Sequence, residues 1–204
     1  MTIALVHGFP ETSAVWRPLR AQLDRDSVAV TLPGLGCARP PGFSATKDAY
    51  AAALADTLAQ LDQPVDVVGH DIGALLTLRI ATAFDLPLRS WTVDVANVFH
   101  PDFVWHEHAR QLQTPAGGEQ LTRTMREVDP DDPASTKSRL LASGVPGQLA
   151  GEIAAAHDET MSQCILDFYR SAVPNVAAGW WSQPSPTDAA GLVLLLPDPH
   201  RPKQ

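Results

Sequence analysis

Cysteine is scarce in this sequence, and its scarcity limits the kinds of fold that the sequence can encode. The 204 residues include only two cysteines, Cys37 and Cys164. Two thiols cannot form the framework of bridges that holds small secreted domains together, and they are compatible with a reducing compartment. We therefore expect a domain that is stabilised by an apolar core, and a chain of this length can bury one.

Positive charge and long apolar runs are also in short supply. Lysine and arginine number 15 against 23 aspartates and glutamates, which gives a net charge of -8 and a pI of about 5.2. This balance argues against a nucleic-acid surface, since such surfaces are basic. The first residues have no basic start, and no apolar run is long enough to span a bilayer. The sequence thus predicts a cytoplasmic protein with a small-molecule substrate and neither a nucleic-acid nor a membrane partner.

Short apolar runs alternate with helical patterns in the first half of the chain. Apolar runs that are bounded by turn residues predict buried strands, and strand–helix alternation predicts a parallel sheet with helices on its faces. The predicted strands are TIALVHG, VAVTLPG, VDVVGH and LRSWTVDVANV, and the predicted helices are SAVWRPLRAQL, ATKDAYAAALADTLAQL and GALLTLRIATAF. The fold class is therefore α/β.

The middle of the chain changes character, because helical spacing continues there without strands between the helices. Four stretches have this spacing: DFVWHEHARQLQ, GEQLTRTMREV, DPASTKSRLLAS and GQLAGEIAAAHDETMSQCILDFYRSA. Asp132 or Ser135 is the expected cap of the third. A final strand, GLVLLLP, follows. We expect a core at 1–98, a helical cap at 99–188 that covers one end of the sheet, and a last core strand with a tail at 189–204.

A turn with a carboxylate at its tightest point joins a predicted strand to a predicted helix. The turn is Gly69-His70-Asp71-Ile72-Gly73. Ligands of parallel sheets bind beyond the carboxyl ends of the strands, and the flanking glycines leave room for a sharp bend that exposes Asp71. The pattern is that of a G-x-S-x-G nucleophile elbow with aspartate in place of serine. The alternative is that Asp71 is an ordinary helix N-cap.

Three segments carry a resemblance to a known family: LVHGFPETSAVWRPL, VTLPGLG and VVGHDIGA, in that order. The sequence resembles the α/β-hydrolase superfamily, and within it the members with an aspartate nucleophile, such as epoxide hydrolases and haloalkane dehalogenases. The resemblance implies that Asp71 is the nucleophile and that the N–H groups of Phe9 and Ile72 form an oxyanion hole. It also implies that Pro10 fixes the loop through a cis bond, and that His7 and His70 are structural.

An aspartate nucleophile attacks without a base, because its carboxylate is already ionised near neutral pH. The resulting alkyl-enzyme ester is then hydrolysed by water, which a histidine oriented by an acid activates. The family carries that histidine on a loop after its last strand, and this sequence stops a few residues after GLVLLLP, so we expect a shortened C-terminal end. His200 is one possible base. Asp198 is one possible acid, with Asp94, or more weakly Asn97, as the alternative.

Side chains of the predicted cap are expected to determine substrate specificity. Trp105, Tyr169 and Trp181 are predicted to line the substrate cavity, although aromatic residues at such positions are more often part of the core. Tyr169 is also a possible proton donor to an epoxide oxygen. We predict no cofactor and no metal site, because His106 and His108 are two residues apart and would point to different faces of a helix.

The residue after the nucleophile bears on the reaction class. Haloalkane dehalogenases usually carry tryptophan there and fluoroacetate dehalogenases arginine, whereas this chain has Ile72. The HGFPE segment favours an epoxide hydrolase-like enzyme. The alternatives are a haloalkane dehalogenase-like enzyme and a non-catalytic binding protein that lacks the base. An uncovered sheet edge would make a homodimer possible.

Overall fold

The computed structural model describes residues 2–95, 103–180 and 188–194. Within them five strands form one parallel sheet in the order β2-β1-β3-β4-β5. The strands are β1 (Ile3–Val6), β2 (Ser27–Val30), β3 (Val65–Gly69), β4 (Leu88–Val93) and β5 (Ala190–Val193). The α/β class and the parallel sheet predicted from the sequence are confirmed.

Helices connect the strands of the first half, as the alternating pattern predicts. A 3₁₀ turn (Ser13–Trp16) and a short α1 (Arg17–Arg20) follow β1, α2 (Lys47–Ala59) follows β2, and α3 (Ile72–Ala83) follows β3. The side chain of Thr46 accepts a hydrogen bond from the N–H of Ala49 and so caps α2. Every residue of β1 is buried, as expected for a central strand that is covered on both faces.

Five helices lie between β4 and β5 in the described part of the chain. They are α4 (Glu107–Gln113), α5 (Gly117–Glu127), α6 (Thr136–Ala142), α7 (Gly147–Ala155) and α8 (Glu159–Ser171). Of the two expected caps for α6, Ser135 is the one observed, since its side chain accepts from the N–H of Ser138. We refer to residues 103–171 as the helical segment.

Two sequence-based helix limits in this segment are wrong. The stretch that begins at Gly147 divides into α7 and α8, because Asp158 accepts the N–H of Met161 at 2.8 Å and starts a new helix. The first helix begins at Glu107 rather than near Phe103, since the side chain of His106 caps it by accepting from the N–H of Ala109. Local side-chain caps thus override the helical spacing at both points.

The helical segment and the sheet share a continuous apolar core. Phe168 and Tyr169 of α8 pack edge-on against Phe9 in the loop after β1, and Tyr50 of α2 joins them. The predicted limits between core and cap, near 98 and 188, fall at or beside undescribed residues and stay predictions. Among the described residues, no helix has the length and apolarity needed to cross a membrane.

Strand β5 differs from the central strands in its exposure. All four of its residues are exposed, and Leu192 remains 54% accessible to solvent. Such an apolar edge is a place where other chains can associate. The predicted homodimer, for which this edge is the natural contact, stays a prediction.

Candidate active site

Asp71 occupies a strained position between β3 and α3. Its backbone has φ 52° and ψ -120°, a conformation that costs a non-glycine residue about 1–3 kcal/mol and persists only when the surroundings impose it. Its side chain makes no capping hydrogen bond to α3. The alternative in which Asp71 is an ordinary N-cap is therefore wrong, and the carboxylate is free to face another partner.

Glycines around Asp71 permit this bend because backbone and side chains approach them closely. A methyl group on Gly73 would lie 2.6 Å from the carbonyl oxygen of His7 and closer still to that of Val6. A methyl group on Gly8 would lie 2.8 Å from Cγ of Asp71. The strand, the elbow and the loop after β1 are thus in direct contact, which holds the carboxylate against that loop.

Backbone N–H groups surround the carboxylate of Asp71. The N–H of Phe9 donates to Oδ1 of Asp71 at 3.0 Å, and the N–H of Ile72, the next residue, interacts with the same carboxylate closely enough to lower its pKa. These are the two donors predicted for the oxyanion hole, and the structure brings both to the predicted nucleophile. Burial raises the pKa of Asp71, while the bond from Phe9, the charge of His70 and the bond from Ile72 act against that rise.

Glu11, His70 and Asp94 form a charged cluster beside the elbow, which we call the clamp. The two ring nitrogens of His70 face one carboxylate each: Nδ1 bonds to Oδ2 of Asp94, and Nε2 lies 3.4 Å from Oε1 of Glu11. Asp94 also accepts the N–H of Asp71 at 3.1 Å, and Glu11 accepts the N–H of Gly8 at 3.0 Å. The clamp therefore links the loop after β1, the elbow and the end of β4.

His70 is held in its protonated form by this arrangement. Burial lowers the pKa of His70, but its hydrogen bonds to Asp94 and Glu11 outweigh burial and raise the pKa to about 11. A protonated imidazole with both N–H groups engaged cannot accept a proton from water. This agrees with the prediction that His70 is structural, and it gives Asp94 a partner other than a base histidine on a later loop.

His7 and Pro10 shape the loop that carries Phe9. His7 bonds through Nδ1 to the carbonyl oxygen of Gly8 at 2.9 Å, and its Nε2 accepts the N–H of Leu32 at 3.3 Å. The ring is therefore the Nδ1–H tautomer, and burial lowers its pKa. The peptide bond between Phe9 and Pro10 is cis, as the resemblance implies. His7 thus braces this loop, as predicted.

Two cavities meet at Asp71. The larger has a volume of about 700 Å³ and lies between the elbow and helices α6 and α7, with Leu140, Val145 and Leu149 among its walls. The smaller has a volume of about 160 Å³ and is lined by Tyr169 of α8 and by residues of α4 and α5. Asp71 is a lining residue of both cavities.

Among the predicted substrate-binding residues, Tyr169 lies in the smaller cavity beside Asp71. Burial and the charge of Asp71 raise its pKa, so its hydroxyl keeps a proton at neutral pH. Trp105 is 5% exposed and donates its indole N–H to the carbonyl oxygen of Ala172 at 2.9 Å. It lines neither cavity, and this placement favours the alternative in which it packs in the core.

Several predicted residues lie outside the described residues. They are Asn97, Trp181, Asp198 and His200, and their roles stay predictions. The expectation that His106 and His108 point to different faces of a helix is wrong: their rings stack with centroids 6.2 Å apart and both line the smaller cavity, because His106 caps α4 and lies outside its regular turns. No group of three or more histidine, cysteine or acidic side chains within the described ranges is arranged to hold a metal ion.

Sequence reasoning assigned no role to two residues that the structure brings to the site. Glu11 belongs to the clamp, although the sequence used it only as part of the HGFPE segment. Arg139 lines the larger cavity. No local pattern distinguishes Arg139 from other helical arginines, because its position depends on how α6 packs over the elbow.

Comparison with known proteins agrees with this architecture. Residues 3–202 match the model of the Alpha/beta hydrolase family, and the chain belongs to that family. An uncharacterised protein from Nostoc sp. is 30% identical over 92 residues, which are 44% of this chain and 36% of that protein.

Solved structures share the fold at low sequence identity. A variant of a candidate epoxide hydrolase from Pseudomonas aeruginosa has a TM-score of 0.68 at 22% identity, over 88% of this chain and 64% of its own. A haloalkane dehalogenase loop variant from Bradyrhizobium elkanii has a TM-score of 0.63 at 19% identity, with the same two shares. A candidate acyltransferase from Salmonella enterica has a TM-score of 0.66 at 18% identity, over 87% of this chain and 64% of its own. The chain thus spans less than two thirds of the length of these structures.

Proposed function

We propose that this protein is a hydrolase that attacks small electrophilic molecules with the carboxylate of Asp71, and that epoxides are its substrates. The observation that carries the proposal is the placement of Asp71. Its strained backbone holds the carboxylate against the N–H groups of Phe9 and Ile72 and beside two cavities. A side chain that only capped α3 would need none of these features.

The chemistry follows from the contacts of the carboxylate. One oxygen, Oδ1, is held by the N–H of Phe9, so the other oxygen is the one that attacks. It bonds to a ring carbon of the epoxide, the carbon–oxygen bond of the ring breaks, and the ring oxygen takes up a proton. Water then loses a proton to a base and attacks Cγ of the ester, and the negative charge that develops on Oδ1 is stabilised by the N–H of Phe9. The bond between Cγ and the alkyl oxygen breaks, the diol leaves with the proton from the base, and the carboxylate of Asp71 is restored. This second step needs a base, for which His200 stays the predicted residue.

The nucleophile is tested by trapping the ester. Incubation with small epoxides and alkyl halides, followed by intact-mass and peptide mass spectrometry, is expected to show an adduct on the Asp71 peptide. Asp71→Asn should abolish the adduct because an amide is a far weaker nucleophile. Asp131→Asn is the matched control, since Asp131 is an exposed acid that pairs with Lys137; it should react like the parent. An unmodified Asp71 peptide under all conditions would refute the proposal.

Tyr169 separates the epoxide from the halide reaction. Tyr169 lines the cavity that Asp71 also lines, and we propose that its hydroxyl protonates the epoxide oxygen. Tyr169→Phe should slow ester formation from epoxides about a hundredfold, as expected when a general acid is lost. Ester formation from alkyl halides should stay unchanged, because a halide leaves without a proton. If the substitution changes the epoxide rate and the halide rate by the same factor, or changes neither, Tyr169 is not the proton donor.

The same measurements distinguish two alternative functions. A haloalkane dehalogenase-like enzyme would react with the halides and not the epoxides, although the side chain of Ile72 supplies no hydrogen bond to a departing halide. A non-catalytic binding protein would show saturable binding that Asp71→Asn does not change and would give no adduct. The clamp favours the enzyme, because it holds the N–H groups of Gly8 and Asp71 and so restrains the residues that precede the two donors, Phe9 and Ile72.

A further inference from the structure

Arg139 brings an unpaired positive charge to the larger cavity. Among the described residues that line this cavity, it is the one lysine or arginine. It lies in the last turn of α6, and its Nε donates to the carbonyl oxygen of Ala134 at 3.1 Å. Its two terminal nitrogens take part in none of the hydrogen bonds or ion pairs found within the described ranges. Other arginines of the helical segment are paired: Arg126 with Glu159 and Arg170 with Glu119.

The charge of Arg139 also acts on a residue of the smaller cavity. Burial lowers the pKa of His108 to about 4, and the positive charge of Arg139 contributes to this lowering. His108 lines the smaller cavity together with Asp71. Arg139 therefore lines one of the two cavities at Asp71 and acts electrostatically on the lining of the other.

The other charged groups of the larger cavity do not neutralise Arg139. Glu11 and Asp94 are engaged by His70 and by backbone N–H groups within the clamp. The walls near Arg139 include Leu140, Val145 and Leu149, and ion pairs are stronger beside apolar walls than in open water. The cavity is thus lined both by Asp71 and by an arginine whose two terminal nitrogens have no partner among the described residues, and such a guanidinium fork matches the two oxygens of a carboxylate.

We propose that Arg139 binds the carboxylate group of the substrate, and that the preferred substrates are small epoxy carboxylic acids. This inference rests on the proposed function, because it assumes that the reacting carbon of the same molecule faces Asp71. In the reaction the Asp71 oxygen bonds to a ring carbon, the ring carbon–oxygen bond breaks, and the ring oxygen takes up a proton. The substrate carboxylate is unchanged and remains on Arg139.

Glycidate and glycidamide test the proposal as a matched pair, because they differ only in the charge of the group beside the epoxide. The rate of ester formation on Asp71 is followed by mass spectrometry over a range of concentrations. Arg139→Gln should raise the glycidate concentration needed for half-maximal rate about tenfold, the effect of losing one charged hydrogen-bonded pair. The values for glycidamide should not change. Arg139→Lys should fall between the parent and Arg139→Gln.

Arg123→Gln is the control for the loss of one positive charge. Arg123 lies on α5, is exposed and lines neither cavity, so both substrates should react as in the parent. An equal effect of Arg139→Gln on glycidate and glycidamide, or no effect on either, would overturn the proposal.

Binding of glycerate, which carries the carboxylate but no epoxide, separates this inference from the proposed function. Glycerate binding, measured by calorimetry, should weaken about tenfold in Arg139→Gln, whereas glyceramide binding should not change. If no ester forms on Asp71 but glycerate binding depends on Arg139, the proposed function fails and the carboxylate site stands. If the ester forms and glycerate binding ignores Arg139, the reverse holds.

Discussion

Replacement of Gly73 by alanine is expected to lower the free energy of unfolding by about 3 kcal/mol, at the upper end of the usual cost of inserting a group into a packed site. The added methyl group would meet the carbonyl oxygens of Val6 and His7. Both oxygens belong to the backbone of β1 and its following loop, so neither can rotate away as a side chain can. The loop that carries Phe9 would have to shift, and ester formation on Asp71 should fall with it.

Gly151→Ala provides the matched control for the same chemical change. Gly151 lies within α7, and a methyl group built on it has no atom within 4 Å. Alanine is the better helix former, so this variant should be more stable by about 0.5–1 kcal/mol. Urea unfolding followed by circular dichroism measures both variants. Equal stability of the two would show that the contact at Gly73 does not constrain the fold.

Replacement of His70 by glutamine is expected to cost about 2 kcal/mol of stability near pH 6.5. Glu11 and Asp94 would lose their shared cation, and breaking a fully buried pair costs about 3–5 kcal/mol. A smaller value applies here because the side chain of His70 is 40% exposed. The substitution also removes one of the two side-chain links between the elbow and the end of β4, leaving the bond from the N–H of Asp71 to Asp94, so ester formation on Asp71 should slow together with the loss of stability.

The pH dependence of stability identifies the cause of this loss. The folded-state pKa of His70, about 11, lies above its unfolded value, about 6.5. Its contribution is therefore fully present below pH 6.5 and declines as pH rises towards 11. The parent should lose stability between pH 7 and 9, and His70→Gln should show a flatter profile over that range.

His157 is the control for this profile, because its pKa moves in the opposite direction. It is buried between Thr136 and Ser162, and burial lowers its pKa to about 4. His157 therefore reduces stability as pH falls below 6.5, and His157→Gln should change the acidic side of the profile and leave the slope from pH 7 to 9 intact. An unchanged alkaline slope in His70→Gln would contradict the account of the clamp.

The first half of the chain could be predicted well because its signals are local. The order of strands and helices follows from apolar runs and turn residues, and the elbow follows from five consecutive residues around Asp71. Phe9 and Ile72 could be predicted as oxyanion donors because each lies in a short segment that resembles a known family. These features depend on neighbours in sequence, and the structure reproduces their arrangement.

The rest depends on contacts between distant residues, which a single sequence does not display. Glu11 and Asp94 are linked through His70, which is 59 positions from Glu11 and 24 positions from Asp94 in the sequence. Arg139 reaches the cavity only because α6 packs above the elbow. Trp105 is an aromatic residue of the kind that often lines a cavity, yet it packs in the core, because its indole N–H donates to the carbonyl oxygen of Ala172 at the end of α8. The break between α7 and α8 was missed because a single aspartate cap outweighs the helical spacing on both sides.

The division of labour between the two halves of the chain has an evolutionary consequence. The predicted nucleophile, the donor N–H groups and the clamp come from residues before Val95, whereas residues of the helical segment line most of the smaller cavity and part of the larger one. Substitutions in those helices can therefore change which compounds bind without moving Asp71, the donor N–H groups or the clamp. Related proteins with this arrangement could therefore differ in the substrates that they bind while keeping the same proposed nucleophile.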